Sequence, residues 1–152
     1  MTRIGLVADT HGLVRPEALA ALRGVAGILH AGDVGGRGDD GRAVLAALGA
    51  LAPVTVVRGN NDRMGFADVP TRVDVAIEGV LVHVVHDVTE ALPGDARVVV
   101  SGHSHRPGAV ERDGKLWVNP GSCGPRRFAL PISVGVLVVD GTGVSVELVE
   151  LR

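Results

Sequence analysis

Residues 3–11 read Arg3-Ile4-Gly5-Leu6-Val7-Ala8-Asp9-Thr10-His11, an apolar run of strand length that ends in a polar cluster. The same arrangement returns at four later places in the chain. The polar clusters that follow those other apolar runs are Gly32-Asp33, Gly59-Asn60-Asn61-Asp62, His86 and Gly102-His103-Ser104-His105. Because the ends of parallel strands converge on one crevice of an α/β sheet, clusters that are far apart in sequence can meet there.

The order of the predicted elements indicates the fold class. The first half alternates as βαβαβ, with strands at 3–8, 27–31 and 54–58. One helix begins at Pro16-Glu17 and ends before Gly24, and a second is capped by Asp39 or Asp40 and runs to about Leu51. The second half is a series of Val-rich strands at 72–77, 80–86, 97–101, 109–111, 116–119, 132–139 and 144–151. Three of its turns are tight pairs, Glu78-Gly79, Asp113-Gly114 and Asp140-Gly141. We therefore expect one α/β domain over residues 1–152, with two packed sheets, helices outside and one thin outer layer.

Composition excludes several classes of protein. The chain has 152 residues, of which 46% are hydrophobic, and this excludes disorder. Only 2% are aromatic and the net charge is −2, so we expect no stable nucleic-acid binding. A single Cys123 fits a reducing compartment. The uncharged stretch 43–57 is too short to span a membrane, and the N-terminal run reaches Asp9 too early for a signal peptide. These observations predict a cytoplasmic protein with no membrane association.

The polar clusters contain candidate metal ligands. They are Asp9, His11, Asp33, Asn60, His86, His103 and His105. Seven donors are too many for one tetrahedral ion and suit two ions that share a carboxylate. Mixed imidazole, carboxylate and amide ligands favour Mn first, with Fe, Ni or Zn as alternatives. The members of each pair, Asp9 with His11 and His103 with His105, would project to the same side of an extended backbone.

Other residues near these clusters have plainer interpretations. The glycines Gly12, Gly32, Gly59 and Gly102 would let the backbone approach closely. His30 and His83 fall inside strands, so we expect them to serve packing or support of the ligands. Cys123 has no second cysteine or metal-ligand spacing and is interpreted as a small loop residue. Asn119-Pro120-Gly121-Ser122 is typical of a tight turn.

The series Asp9-x-His11, Gly32-Asp33, Gly59-Asn60-x-Asp62, His86 and Gly102-His103-Ser104-His105 resembles the motifs of the calcineurin-like metallophosphoesterases. The stretch Asn119-Pro120-Gly121-Ser122 with Pro125-Arg126 is similar to the small prokaryotic YfcE-like group. The resemblance implies a four-layer αββα sandwich of two mixed sheets. It also implies one metal on Asp9, His11, Asp33 and His105, and another on Asp33, Asn60, His86 and His103. Asp33 would bridge the two ions, and a hydroxide between them would attack phosphorus, in a phosphodiester more readily than in a monoester.

Two positions depart from that family pattern. Many members have His directly after the metal-binding Asn, but here the residue is Asn61, as in the YfcE-like group. Because an amide cannot act as a general acid, Asn61 is a weak catalytic candidate and activity should favour good leaving groups. Asp87 stands where the family usually has Gly, so it lies near the ions or faces solvent. The candidate substrate-binding residues are Asn60, Asn61 and Arg126, although Arg126 and Arg127 fit a solvated pair equally well.

The sequence thus favours a divalent-metal phosphoesterase that acts on a small-molecule phosphate ester. The alternative is a noncatalytic scaffold for protein–protein interaction, because the same fold serves as the retromer coat subunit. A nuclease is disfavoured by the lack of a basic groove and stacking aromatics. A homo-oligomer formed through the Val-rich strands of residues 132–151 stays open.

Overall fold

The computed structural model describes residues 1–62, 65–141 and 143–152. In chain order the strands are β1 (Thr2–Val7), β2 (Gly27–His30), β3 (Val54–Val56), β4 (Arg72–Ile77), β5 (Val80–Val85), β6 (Val98–Val100), β7 (Gly108–Arg112), β8 (Lys115–Asn119), β9 (Ser133–Asp140) and β10 (Gly143–Glu150). The helices are α1 (Pro16–Ala21) and α2 (Arg42–Gly49), and a 3-10 helix spans Val88–Glu90.

The strands form two mixed five-stranded sheets. The first has the order β10-β9-β1-β2-β3, and the second has the order β4-β5-β6-β8-β7. In the first sheet β1, β2 and β3 are parallel, and in the second sheet β5, β6 and β8 are parallel. The remaining strands pair antiparallel with their neighbours. The parallel set lies at one side of the first sheet, with β3 as the edge strand, and at the centre of the second sheet. The carboxyl ends of each set share one edge of its sheet.

Two apolar layers hold this arrangement together. Alternate residues of the strands meet between the sheets, where Leu6, Val82, Val100 and Leu137 are fully buried. A second layer lies between the first sheet and its helices and includes Val7, Leu22, Ile28, Val44 and Val136. Full burial of one such side chain contributes about 1.5–3 kcal/mol to the stability of the fold. Because apolar residues alternate along β1 and β9, turning either strand over would expose several of them, and this fixes which face of the sheet lies inward.

The predicted fold is confirmed, including the two mixed sheets, the single domain and the thin outer layer. Predicted element bounds agree with the observed ones to within about two residues, which is the usual uncertainty of helix ends. Both predicted helices contribute to the apolar layer against the first sheet. Among the described residues after β5 the only helix is the 3-10 helix Val88–Glu90, and its N-cap residue Asp87 accepts from the N–H of Thr89. No helix in the described ranges is long and apolar enough to cross a membrane.

The predicted cap of α2 is wrong in detail. The N-cap residue is Gly41, with φ 74°, and no side chain caps the helix. Asp39 and Asp40 instead accept from the backbone N–H groups of Gly41 and Arg42. Each carboxylate thus closes a turn with the residue two positions on, which competes with capping of the helix itself.

Candidate metal centre

All seven predicted ligand residues lie together at one edge of the two sheets. Asp9 and His11 follow β1, Asp33 follows β2, and Asn60 follows β3. His86 follows β5, while His103 and His105 follow β6. The convergence of parallel strand ends, expected from the sequence, is what brings these loops into contact.

Asp9, His11 and His105 form the first of two donor groups. The Nε2 atoms of His11 and His105 face each other at 3.4 Å. Asp9 Oδ1 lies 3.6 Å from His105 Nε2 and 4.0 Å from His11 Nε2. In the described chain Asp9 Oδ1 is buried and has no hydrogen-bond partner. A buried carboxylate oxygen without a partner is costly unless a cation is present, so this group fits a divalent ion.

The second donor group consists of Asn60, His86 and His103. Asn60 Oδ1 lies 2.8 Å from His86 Nε2 and 3.3 Å from His103 Nδ1. The two imidazole nitrogens are 3.2 Å apart. His86 Nδ1–H donates to the carbonyl oxygen of Ala31 at 2.8 Å, which leaves Nε2 to face the group. A second ring nitrogen held by a carbonyl is the usual support of a metal-binding histidine.

Asp33 lies between these groups. Its Oδ2 is 3.3 Å from His86 Nε2 and 3.8 Å from His11 Nε2. Asp9 also reaches both sides, because single ligand atoms of Asp9, Asp33 and His86 all lie within 4.8 Å of one another. Asp9 Oδ2 accepts from the backbone N–H of His103 at 3.0 Å. The carboxylates of Asp9 and Asp33 thus lie between the two donor groups, within reach of an ion held by either one.

The backbone at the site is strained. Five of the seven residues have positive φ, namely Asp9 (54°), His11 (44°), Asp33 (57°), His103 (72°) and His105 (62°). The expectation of extended backbone at the paired positions is therefore wrong. Left-handed conformations of such residues cost of the order of 1–3 kcal/mol each and persist only when the surrounding structure enforces them. Here the N–H groups of Asp9 and His11 donate to the carbonyls of Gly32 and Asp33.

Glycines permit the close approach of these loops, as predicted. A Cβ on Gly59 would overlap Asp33 Oδ1 and its backbone nitrogen. A Cβ on Gly32 would lie 2.8 Å from His86 Nδ1, and one on Gly102 would lie 2.8 Å from the Cβ of Ala8. Larger residues would push the ligand-bearing loops apart.

The ionisation of the cluster reflects its burial. Burial raises the pKa of Asp9 to about 7, although the nearby His86 opposes this. Burial is the main cause that lowers the pKa of His105 to about 4, and the positive charge of Arg127 lowers it further. For Asp33 burial alone would raise the pKa, but His86 and the N–H groups of Asn61 outweigh it and lower the pKa. His105 and Asp33 thus have the protonation states that a metal requires, a neutral imidazole and an ionised carboxylate, whereas Asp9 would lose its proton when a cation binds.

Two supporting residues were missed by sequence reasoning. The carboxylate of Asp62 accepts from the backbone N–H groups of four residues, Asp33, Val34, Gly35 and Gly59. Asn119, at the end of β8, donates through Nδ2 to the carbonyl of Gly102 and to Ser104 Oγ, and so holds the loop that bears His103 and His105. The position of Asn119 at a strand end was the available signal.

His30 and His83 lie where the strand pattern places them. His30 is fully buried and burial lowers its pKa to about 3. Its Nδ1 accepts from the N–H of Gly32, and its Nε2–H donates to Thr10 Oγ1 at 3.0 Å. His83 Nδ1–H donates to Asp74 Oδ1 at 2.7 Å, and its Nε2 accepts from the N–H of Leu92. His30 thus supports the loop before Asp33, while His83 secures the segment after β5.

The other candidate residues take different places. Asn61 Nδ2 donates to Asp33 Oδ2 at 3.0 Å, and its backbone N–H donates to Asp33 Oδ1 at 2.8 Å. Arg126 donates to the carbonyl of Leu130, whereas Arg127 lines a cleft with His11 and Asn61. Asp87 accepts from Thr89 and borders a second cleft beside His86. The buried Cys123, whose pKa burial raises to about 12, has no thiolate character.

Comparison with known proteins identifies the family. The domain model of the calcineurin-like phosphoesterase superfamily matches residues 2–142, and the chain belongs to this superfamily. A curated relative, "Probable metallophosphoesterase" of Methanothermobacter thermautotrophicus, is 36% identical over an alignment of 165 residues. That alignment covers 97% of this chain and 91% of the relative. The predicted metallophosphoesterase class and metal-binding character are thereby confirmed at the level of the family.

Solved structures share the fold. Vps29 of Chaetomium thermophilum matches with a TM-score of 0.80 at 20% identity, over 100% of both chains. A structure described as a novel archaeal phosphodiesterase matches with a TM-score of 0.77 at 22% identity, over 97% of this chain and 100% of that one. At these identities the likeness shows the fold and not the activity.

Proposed function

We propose that the chain is a phosphodiesterase that uses two divalent metal ions, with Mn as the first choice and Fe, Ni or Zn as alternatives. The observation that carries the proposal is the pair of three-donor groups with Asp33 between them. One ion would be held by Asp9, His11, Asp33 and His105, and the other by Asp33, Asn60, His86 and His103. Two such ions would neutralise charge on the phosphoryl oxygens and would lower the pKa of a water, so that it could attack phosphorus as hydroxide near neutral pH.

The residues of this chain would orient that chemistry. Asp62 fixes the backbone around Asp33, and Asn61 donates two hydrogen bonds to the Asp33 carboxylate. His86 is held by the carbonyl of Ala31 with Nε2 turned to the centre. Asn61 is an amide and supplies no proton to the departing oxygen. Catalysis would therefore depend on positioning and on neutralisation of charge more than on proton transfer.

The space around the donor groups and a structural neighbour support the choice of ester class. An open site with clefts of about 460 and 540 Å³ on either side of the donor groups gives room for two ester substituents. Volumes of this size are ordinary for small-molecule sites, which span about 300–1,000 Å³. The archaeal neighbour described as a phosphodiesterase has the same fold. These points favour a diester with two substituents over a monoester.

The test is hydrolysis by protein that has been stripped of metal and then supplied with Mn, Ni, Zn or Mg. We expect bis(p-nitrophenyl) phosphate to be hydrolysed with Mn and p-nitrophenyl phosphate to be hydrolysed more slowly. Asp33→Asn should abolish turnover and lower the number of bound ions measured by metal analysis. Asp68→Asn, which alters an exposed carboxylate in the loop before β4, is the matched control.

A scaffold is the second candidate, because Vps29 of Chaetomium thermophilum matches the whole chain with a TM-score of 0.80. Two bound ions per chain with no turnover of either ester, with any metal, would reject the enzyme for these substrates and favour the scaffold. Turnover that survives Asp33→Asn would reject the assigned metal site.

A further inference from the structure

The cleft beside His11 has a distinct electrostatic character. We call it the arginine cleft and define it by Arg37, Arg127 and the loop 35–38, next to His11 and Asn61. Its volume is about 540 Å³. One carboxylate, Asp39, also lines it, but Asp39 Oδ1 already accepts from the N–H of Gly41. Two guanidinium groups against one carboxylate leave a net positive charge directly beside the donor groups.

The donors of the arginine cleft are unused. Neither the Arg37 nor the Arg127 guanidinium makes a hydrogen bond or ion pair with any part of the chain that the structure describes. Within the same described ranges, the backbone N–H groups of Gly36, Arg37 and Gly38 have no acceptor. A glycine-rich loop with unpaired N–H groups next to arginines is an arrangement that binds phosphate.

The cleft on the other side of the donor groups differs in charge. It holds Arg58, but also the carboxylates of Asp87 and Glu90, while the carboxylate of Asp62, which lines it too, already accepts from four backbone N–H groups. Arg58 donates one hydrogen bond to the carbonyl of Ala67, which leaves fewer of its donors for a ligand. An anionic substituent would be repelled there and attracted to the arginine cleft. The two clefts would therefore present different charges to the two substituents of a phosphodiester.

We propose that Arg37 and Arg127 bind a second phosphate carried on one arm of the substrate, so that the preferred substrate is a phosphodiester with a phosphorylated arm. This inference rests on the phosphodiesterase function proposed above. The reaction remains hydrolysis, in which a water oxygen bonds to phosphorus and the ester P–O bond breaks. The departing oxygen then takes a proton from solvent. The arginine cleft adds recognition of the second anion and no chemical step.

The kinetic test uses two substrates that differ only in that second phosphate. They are thymidine 5′-(p-nitrophenyl phosphate) and the same compound with a 3′-phosphate. We expect kcat/KM with the Mn-loaded protein to be about tenfold to a hundredfold higher for the 3′-phosphorylated compound, because hydrogen bonds to charged groups are the strong ones. The double variant Arg37→Ala/Arg127→Ala should lose this ratio. Arg23→Ala, an exposed arginine just after α1, is the matched control and should retain it.

An equilibrium measurement separates this inference from the function on which it rests. Calorimetry should show that the Mn-loaded protein binds thymidine 3′,5′-bisphosphate at least about tenfold more tightly than thymidine 5′-monophosphate, with the difference lost in the double variant. If neither ester is hydrolysed but this difference is seen, the phosphodiesterase fails and the anion site stands. Equal affinities, or a preference that survives in the double variant, would overturn the anion site whether or not esters are hydrolysed.

Discussion

Asp62 Oδ2 accepts the backbone N–H of Asp33 at 2.8 Å, and it also accepts the N–H of Gly59 at 2.8 Å. Its Oδ1 accepts from Val34 at 2.8 Å. One buried carboxylate therefore ties the loop after β2 to the loop after β3. Since Asp33 has a positive φ, its conformation depends on contacts of this kind. Asp62 is a positioning residue that holds the residue lying between the two donor groups.

We expect Asp62→Asn to weaken both the fold and metal binding. The amide has the same size, but its NH2 group would face backbone N–H groups and leave at least one of them unpaired. The loss should be about 1–3 kcal/mol in the free energy of unfolding, measured by urea denaturation of metal-free protein. Calorimetric titration with Mn should also show weaker binding. Asp68→Asn should change neither quantity, and unchanged Mn affinity in Asp62→Asn would contradict the positioning role.

Substitution of Gly59 tests whether the loops must approach closely, and Gly49 provides the control position. A Cβ on Gly59 would overlap Asp33, whereas a Cβ on Gly49 meets nothing within 4 Å. Gly59→Ala should therefore lower stability and Mn affinity together. Gly49 lies in the last position of α2, so Gly49→Ala should stabilise by about 0.5–1 kcal/mol. Thermal unfolding and Mn titration of both variants test this, and a Gly59→Ala protein that binds Mn normally would show that the loops can separate without loss.

The sequence predicted the two sheets and the meeting of the seven candidate ligand residues because both depend on local patterns, whereas the division of those residues between two ions came only from the family resemblance. Short apolar runs, many of them rich in Val, mark the strands, and a polar cluster at a strand end marks the edge that holds the site, as Asp9 and His86 show. These patterns say which residues meet. They do not say how the backbone turns within each cluster.

The features that sequence reasoning could not reach are contacts between distant loops. The left-handed backbone of Asp9 and His103 is imposed by neighbouring loops, and neither residue type demands it. The role of Asp62 arises only when its carboxylate meets N–H groups from the loop after β2. Arg127, rather than Arg126, borders the cleft because of the path of the loop after Ser122. None of these contacts produces a periodic pattern of residue types from which it could be predicted.

His30 should make stability depend on pH. In the folded chain burial lowers its pKa to about 3, whereas an unfolded histidine titrates near 6.5. Between these values the unfolded state binds more protons, so stability is full above pH 6.5 and falls as pH drops towards 3. The difference in pKa between the folded and unfolded states predicts that this one group lowers the free energy of unfolding by about 2 kcal/mol between pH 7 and pH 5. The raised pKa of Asp9 changes the free energy of unfolding in the opposite direction over the same interval, so the His30 contribution is measured as a difference between the wild type and a His30 variant, by urea unfolding of metal-free protein at the two pH values.

The variant His30→Gln isolates that contribution. It should be less stable than the wild type at pH 7, because the hydrogen bonds to Thr10 and Gly32 are disturbed. Its further loss between pH 7 and pH 5 should be smaller than that of the wild type by about 2 kcal/mol. An equal pH dependence in the two proteins would mean that His30 is protonated in the folded chain.

Asn61 makes the departing group decisive for the proposed phosphodiesterase. Asn61 donates its backbone N–H and one side-chain N–H to the Asp33 carboxylate and has no acidic proton to give. Negative charge that develops on the departing oxygen is then stabilised mainly by the substituent itself. The rate for a series of aryl phosphodiesters with Mn should therefore fall steadily as the pKa of the released phenol rises.

The variant Asn61→His places a group with an ordinary pKa near 6.5 at that position, where it can protonate the departing oxygen. The dependence on phenol pKa should become shallower. The gain should be largest for the poorest leaving groups, at about 100-fold, which is the lower end of what a positioned acid contributes. Asn61→Ala controls for loss of the hydrogen bonds to Asp33 and should keep the steep dependence at a lower rate. A wild-type rate that is independent of phenol pKa would show that another step, such as product release, limits turnover, and the proposed role of Asn61 would then be rejected.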